Sequence, residues 1–445
     1  MGRLLDAAQK AVSSATAAGA DFVDAFCSET KEIEIDVENN SIHDCQVIRD
    51  YGVGVRAFCS GGMGISSAQS LDPEACAECG RRAVRLARAA QPDPDFVALP
   101  GVGQKQDVQQ LFDDTLAGLP AETVVQWCAD AIEEAQAEYG YVRLEGGASL
   151  IAGTSALASS TGIAIERAGT LVNIGFQAIV ISDGDVGIYF EYDAARRMED
   201  FVPRGVAEKA TRQAREYLGA RSIDTGRMTL VLGPLTVSGM LGSVVGAASA
   251  ESVQRNRSFL GGREGEQIAS DLLTIRECPF VPAGLGSQPY DGEGVPKVER
   301  NLIDRGVLTT YLHNSYTANK AGVDNTAHAS RSGYSGGVGI STANLQVETG
   351  DRPEAELISE IDEGLYIAYA GLRPDTASGD ISATVDFGFK IEDGERAYPV
   401  STTMIGTTAM QMLSNIEAVS SDYREEPGII APSLRIRDIQ VAGAG

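Results

Sequence analysis

A chain of 445 residues, 43% apolar and 22% charged, has material for a large core and a length that suggests two or three domains. Its formal charge of -26 argues against a nucleic-acid backbone as direct partner, because counterion release needs clustered Lys and Arg. No stretch approaches the ~18 uncharged apolar residues of a membrane span, and the N-terminus lacks the apolar segment of a signal peptide. The expectation is a soluble, cytoplasmic protein with no membrane partner.

Residues 4–19 have the spacing of an amphipathic helix. In "KEIEIDVENN", Ile33, Ile35 and Val37 alternate with Glu32, Glu34 and Asp36, which predicts a half-buried strand ending at an Asn-Asn turn. Two further strands, punctuated by Gly52, Gly54, Gly61, Gly62 and Gly64, meet at a "SGG" hairpin. A helix over 72–90, opened by Asp72 and Pro73, closes the first unit, residues 1–95. "QPDPDF" reads as a linker. The second unit, 110–220, opens with a helix over 121–138. An antiparallel meander comes next, with turn signals about every ten residues, and a helix near "VAEKATRQAREYLGA" ends it. The third unit, 225–445, starts at the strand "RMTLVLGP" and is rich in β-signals. The fold class is α+β: antiparallel sheets flanked by helices in the N-terminal half, and a β-rich C-terminal half with a buried helix.

Chemistry-bearing residues are sparse. The seven cysteines are odd in number and scattered, which fits free thiols in a reducing compartment. The one close pair, Cys76 and Cys79, lies on a predicted helix and reads as packing. Of three histidines, His43 reads as a turn or surface residue. His313 and His328 lack the spacing of a metal site. "GYSGG" and "ASGDIS" are too loose for a nucleophile elbow, and no glycine-rich stretch continues into G-K-[ST]. The helix after "LGP" is the oddest feature. From Leu235 to Ser249 it carries only small, apolar and hydroxyl residues.

Three blocks resemble the TldD/PmbA family of peptidase-like proteins, some of them described as modulators of DNA gyrase. They are "YGVGVRAFCSGGMGISSAQSLDPEACAECGRRAVRLARAA", "SFLGGREGEQIASDLLTIRECPFVPAGLGSQPYDGEGVPKVERNLIDRGVLTTYLHNSYTANKAG" and "TASGDISATVDFGFKIEDGERAYPV". They keep order and spacing over about residues 15–440. The resemblance implies that one branch, TldD, carries H-E-x-x-x-H on the helix after "LGP" and a later Cys, which together hold a metal. The other branch, TldE or PmbA, lacks these groups and pairs with TldD. Carried over, the first His position falls on Gly242, the Glu on Ser243, the second His on Ala247, and the Cys near Val385. The chain therefore resembles the TldE-like branch, a peptidase helix with the chemistry removed.

The resemblance carries several expectations. No catalytic or metal-binding residue is expected in this chain, and no cofactor. A metal, zinc by class, is expected in a TldD-like partner. Gly242, Ser243, Ala247 and Val385 are candidates to line a shared cavity. Ser378, Gly379 and Asp380 are candidates for a peptide-channel loop; the plainer reading is a strand-entry turn in which Asp380 caps backbone groups. Two functions are open. One is the metal-free subunit of a heterodimeric metalloprotease acting on unfolded or modified peptides. The other is a homodimeric binding or regulatory protein without proteolysis, including a gyrase-modulator type of interaction.

Overall fold

A computed structural model describes residues 2–104 and 106–444. In the N-terminal half, β1 (Phe22–Glu38), β2 (Ser41–Cys59), β3 (Gly62–Ala68), β4 (Arg143–Ser159), β5 (Ala164–Ser182) and β6 (Asp185–Ala195) form one six-stranded sheet in the order β3-β2-β1-β4-β5-β6. The two expected N-terminal units thus share a sheet, joined where β1 pairs antiparallel with β4 from Asp24↔Ser159 to Val37↔Gly146. Helices α1 (Arg3–Ala17), α2 (Pro73–Ala89), α3 (Ala121–Glu138) and α4 (Val206–Glu216) flank it.

Local chemistry accounts for these elements. In α1, Leu4, Leu5, Ala8, Ala11, Val12 and Ala15 are buried at helical spacing. Pro73 opens α2 at the first turn, where a missing N–H costs nothing. Asn39 and Asn40 take φ of 51° and 60°, the left-handed pair a two-residue hairpin needs. The Asn40 side chain then ties that hairpin to β4: its Nδ2 donates to Val142 O at 2.7 Å, and Leu144 N donates to its Oδ1 at 2.6 Å.

The meander differs from its expected rhythm. Its strands run 17, 19 and 11 residues, because glycines that read as turn punctuation lie inside them. Gly147 is one: a Cβ there would sit 1.9 Å from Ile35 O. The glycine is required by close strand approach, not by a turn. The linker is pinned rather than loose, with the Phe96 ring stacked on Phe58 at 3.8 Å between centroids.

The C-terminal half is built on β7 (Gly226–Leu232), followed by α5 (Pro234–Ala247), β8 (Glu363–Ala370), β9 (Asp380–Glu392), β10 (Met404–Thr408), β11 (Ile416–Glu426) and β12 (Ile429–Ala442). These strands belong to an eleven-stranded sheet. Five of them close a ring: β7 pairs with β8, β8 with β9, β9 with β10, β10 with β12, and β12 with β7. Their inward residues form one apolar core with α5.

Charged groups bridge the halves. Arg56 on β2 contacts Asp24 at 2.5 Å and Glu293 at 2.7 Å, and Arg331 reaches Asp24 at 2.9 Å. Burial opposes ionisation of Asp24, but Arg331 and Arg56 outweigh it and hold the carboxyl below its ordinary range. Among the described residues no helix is long and apolar enough to cross a membrane.

Candidate functional site

Strand β7 ends at Leu232, and Gly233 turns the chain into α5 with Pro234 at the first helical position. Gly233 N donates to Ile367 O at 2.8 Å, and the Thr236 hydroxyl donates to Ala368 O at 3.1 Å while accepting from Ala370 N at 3.2 Å. These bonds fix the start of the helix against β8. One side of α5, carrying Val237, Met240, Leu241, Val244 and Val245, is buried in the barrel core. At ~1.5–3 kcal/mol for each large side chain fully buried, this face alone is sufficient reason for the helix to persist.

The other side carries Gly239, Gly242, Ser243 and Gly246 and is not fully covered. A Cβ added at Gly242 or Gly246 would meet no atom within 4 Å. At Gly239 it would meet only Arg373 Nε, at 3.9 Å. Ser243 spends its hydroxyl within the helix, donating to Gly239 O at 2.8 Å. Ala247 and Val385 lie elsewhere. They are 1% and 3% exposed, both inside the barrel core. The structure therefore sets Gly242 and Ser243 on the open side of the helix and the other two positions in apolar packing.

The loop before β9 lies beside this helix. Ser258 Oγ donates to Ala247 O at 2.6 Å, the adjacent Phe259 N donates to Thr376 O at 2.9 Å, and Gly379 rests against the Phe259 ring. Gly379 has φ of 80°, and a Cβ there would come within 3.0 Å of that ring. Ser378 accepts from Asp380 N at 3.2 Å. The capping group of this turn is Asp375, not Asp380: Asp375 Oδ1 accepts from Ala377 N at 3.0 Å and Ser378 N at 2.8 Å. Bonds from Ser378 and Ala377 hold the Asp375 carboxyl below its ordinary range. Asp380 is exposed at the first position of β9, opposite Thr408.

A buried polar cluster was not visible in the sequence. Glu277, Lys297 and His328 are each fully buried, with Lys297 Nζ donating to Glu277 Oε1 at 2.9 Å and His328 Nε2 lying 3.0 Å from Glu277 Oε2. Thr326 Oγ1 is 2.8 Å from His328 Nδ1 and accepts from His313 N at 2.6 Å, so the two histidines share a neighbour. Burial works against the charge on Glu277, but His328, Lys297 and the Ala343 N–H prevail and bring its pKa down to about 2. Burial holds His328 below the ordinary histidine range despite Glu277. Lys297 lies 20 residues beyond Glu277 and His328 farther still, a spacing with no local signature. Cys76 and Cys79 are buried and unbridged, and burial pushes Cys76 up to about 11, which leaves a protonated, unreactive thiol.

Metal chemistry is not supplied by the matched positions. Gly242, Ala247 and Val385 have no donor atom, and the Ser243 hydroxyl is committed to its own helix. Among the described residues no group of three or more His, Cys, Asp or Glu is placed to hold a metal ion.

Comparison with known proteins sets this geometry in a family. Residues 23–87, 114–218 and 225–443 match the PmbA/TldA metallopeptidase domain 1, central domain and C-terminal domain. The chain is 28% identical to the metalloprotease PmbA of Escherichia coli O157:H7, covering 98% of this chain and 96% of that protein. It is 32% identical to a metalloprotease of Methanothermobacter thermautotrophicus over 65% of this chain and 67% of that protein. The solved structure of TldE from Thermococcus kodakarensis, 23% identical, shares the fold with a TM-score of 0.89 over 98% of this chain and 99% of that one. This chain belongs to the PmbA/TldD family.

Proposed function

We propose that this chain is the non-catalytic, metal-free subunit of a TldD/TldE-type heteromeric metalloprotease that acts on unfolded or modified peptides. One observation carries the reading. The helix after β7 has hydrogen bonds to β8 at its start and a buried face, while its open side offers only glycine and a serine that is already bonded. A TldD-like partner would supply the metal, zinc by class, and the groups that activate water. This chain would complete the cavity, with Gly242 and Ser243 on its wall and the loop at Ser378 to Asp380 beside it.

Separate purification tests the reading. Metal analysis of the isolated chain is expected to find less than stoichiometric zinc, and unfolded peptide substrates are expected to survive incubation with it. Stoichiometric metal together with peptide cleavage by the isolated chain overturns the proposal.

A further inference from the structure

A cleft of about 390 Å³ lies where the start of β5 meets the segment 102–107 and the loop 289–294 of the C-terminal half. None of its lining belongs to α5 or to the loop at 371–380. Val102, Ile163, Ile165 and Pro289 supply apolar surface. Loop and strand meet closely: a Cβ at Gly294, whose φ is 84°, would lie 2.8 Å from the Ile163 side chain. Arg167 enters this cleft from β5 and is half-buried. Its neighbour Glu166 points to the opposite face of the strand, where Oε2 accepts from Gly2 N at 3.2 Å. Asp107 stands on the exposed rim.

The Arg167 guanidinium has donors to spare. Nη1 donates to Tyr290 O at 3.2 Å, its one hydrogen bond among the described residues. Nε and Nη2 make none, and neither is sealed from solvent. No carboxylate of the described residues comes within ion-pair distance, and the acid that acts on it through space is Asp291. Asp291 is itself committed: Oδ1 accepts from Glu293 N and Val295 N at 2.9 Å each, and Oδ2 accepts from Ala329 N at 3.1 Å. Arg331 adds positive charge nearby but is turned to Gly292 O and Asp24. Burial pulls the Arg167 pKa down, with Asp291 opposing and Arg331 reinforcing the fall, yet an arginine stays charged at neutral pH. A half-buried cation without a counter-charge is costly, and an anion entering beside it would remove that cost.

We propose that this cleft binds a carboxylate borne on an apolar group, the C-terminal residue of a peptide or a free aliphatic acid, with Arg167 as its counter-ion. Nε and Nη2 form the edge of a guanidinium that matches both oxygens of one carboxylate. The Tyr290 hydroxyl accepts from Gln106 N at 2.9 Å and keeps its own proton to donate into the cleft. The apolar walls take the aliphatic part and lower the local dielectric, which strengthens the pairing. The site is independent of the metalloprotease reading, since it uses no residue of α5.

Calorimetric titration of the whole chain at neutral pH tests this. The probes are N-acetyl-leucine for the peptide C-terminus and 4-methylpentanoate for the free acid, with N-acetyl-leucinamide as the uncharged control. We expect saturable binding of at least one carboxylate, and binding of the amide weaker by about tenfold or more. The carboxylate that binds more tightly identifies the source. Arg167→Met, which keeps an unbranched side chain and removes the charge, should weaken carboxylate binding by about tenfold or more. Phenylglyoxal, which modifies accessible arginine, gives a second readout by mass spectrometry: a saturating carboxylate probe should slow modification of Arg167 in the unaltered chain severalfold. Absence of saturable binding, an amide bound as tightly as the carboxylates, affinity unchanged in Arg167→Met, or Arg167 modified at the same rate with and without the carboxylate overturns the proposal. If the variant does not fold, protection of Arg167 in the unaltered chain decides the matter.

Discussion

Arg56 Nη2 lies 2.7 Å from Glu293 Oε1, and this contact ties the second strand of the N-terminal sheet to the C-terminal half. The Arg56 side chain is 11% exposed and that of Glu293 is 2%. Arg56 also serves Asp24, which keeps Arg331 as a second partner, whereas Glu293 has no other ion-pair partner among the described residues. Removing Arg56 leaves a buried carboxylate uncompensated. Arg56→Met should destabilise the chain by about 3–5 kcal/mol, measured as a fall in the urea midpoint. A change within experimental error would show that the halves do not depend on this contact.

Two glycines make opposite predictions. A Cβ at Gly54 would lie 1.6 Å from Tyr334 O, where the C-terminal half docks on β2. Gly54→Ala should cost about 1–3 kcal/mol through forced backbone shifts. At Gly242 the added methyl meets open space in a helix interior, so Gly242→Ala should stabilise the isolated chain by about 0.5–1 kcal/mol. Calorimetric melting of both variants checks the signs. If Gly242→Ala also weakens association with a partner, the open side of α5 is where that partner approaches.

Much of the fold was legible in local pattern. The helix over 121–138 matches its expected bounds, and the Asn39–Asn40 turn was readable because those residues tolerate positive φ. The pairing of β1 with β4 was not, since it joins Asp24 to Ser159 and no periodicity spans that distance. Glycine was the ambiguous letter. Gly147 serves strand contact, whereas Gly379 serves a turn, and the two look alike in sequence. For the site, the missing donors of α5 could be read from residue identity. The cap on the loop could not, because Asp375 and Asp380 bracket the same turn and only geometry separates them. Glu277, Lys297, His328 and Glu426 read as ordinary polar residues until the fold buried them.

The pH dependence of stability separates two of those buried acids. Glu426 has its folded pKa raised to about 8, above the ordinary carboxyl value of 4.5. Between these values the native chain holds a proton that the unfolded chain has released, so this group's contribution to stability falls as pH rises from about 4.5 to 8. Glu277 is depressed to about 2, so its contribution is present above pH 4.5 and is lost as pH falls toward 2. Relative to the unaltered chain, Glu426→Gln should gain stability between about pH 5 and pH 8, on the order of 4 kcal/mol. Urea midpoints of both proteins across that range test this, and parallel profiles would contradict it.

Charge makes a further prediction. With a net charge of -26 and only seven lysines, the chain repels itself at low ionic strength. Raising salt from ~0.1 M to ~1 M shortens the Debye length from ~10 Å to ~3 Å. The melting temperature should rise over that interval. A fall would mean that the exposed ion pairs, such as Arg85 with Glu78, outweigh the global repulsion.

If this chain walls a cavity whose chemistry resides in another subunit, that subunit must accompany it in the cell. Recovery of the tagged protein at native abundance from its own lysate, with mass spectrometry of what comes with it, decides the point. The expected result is a near-stoichiometric relative bearing H-E-x-x-x-H on the helix that corresponds to α5. Recovery of this chain alone, as a homodimer, would contradict the subunit role and favour a binding protein without proteolysis.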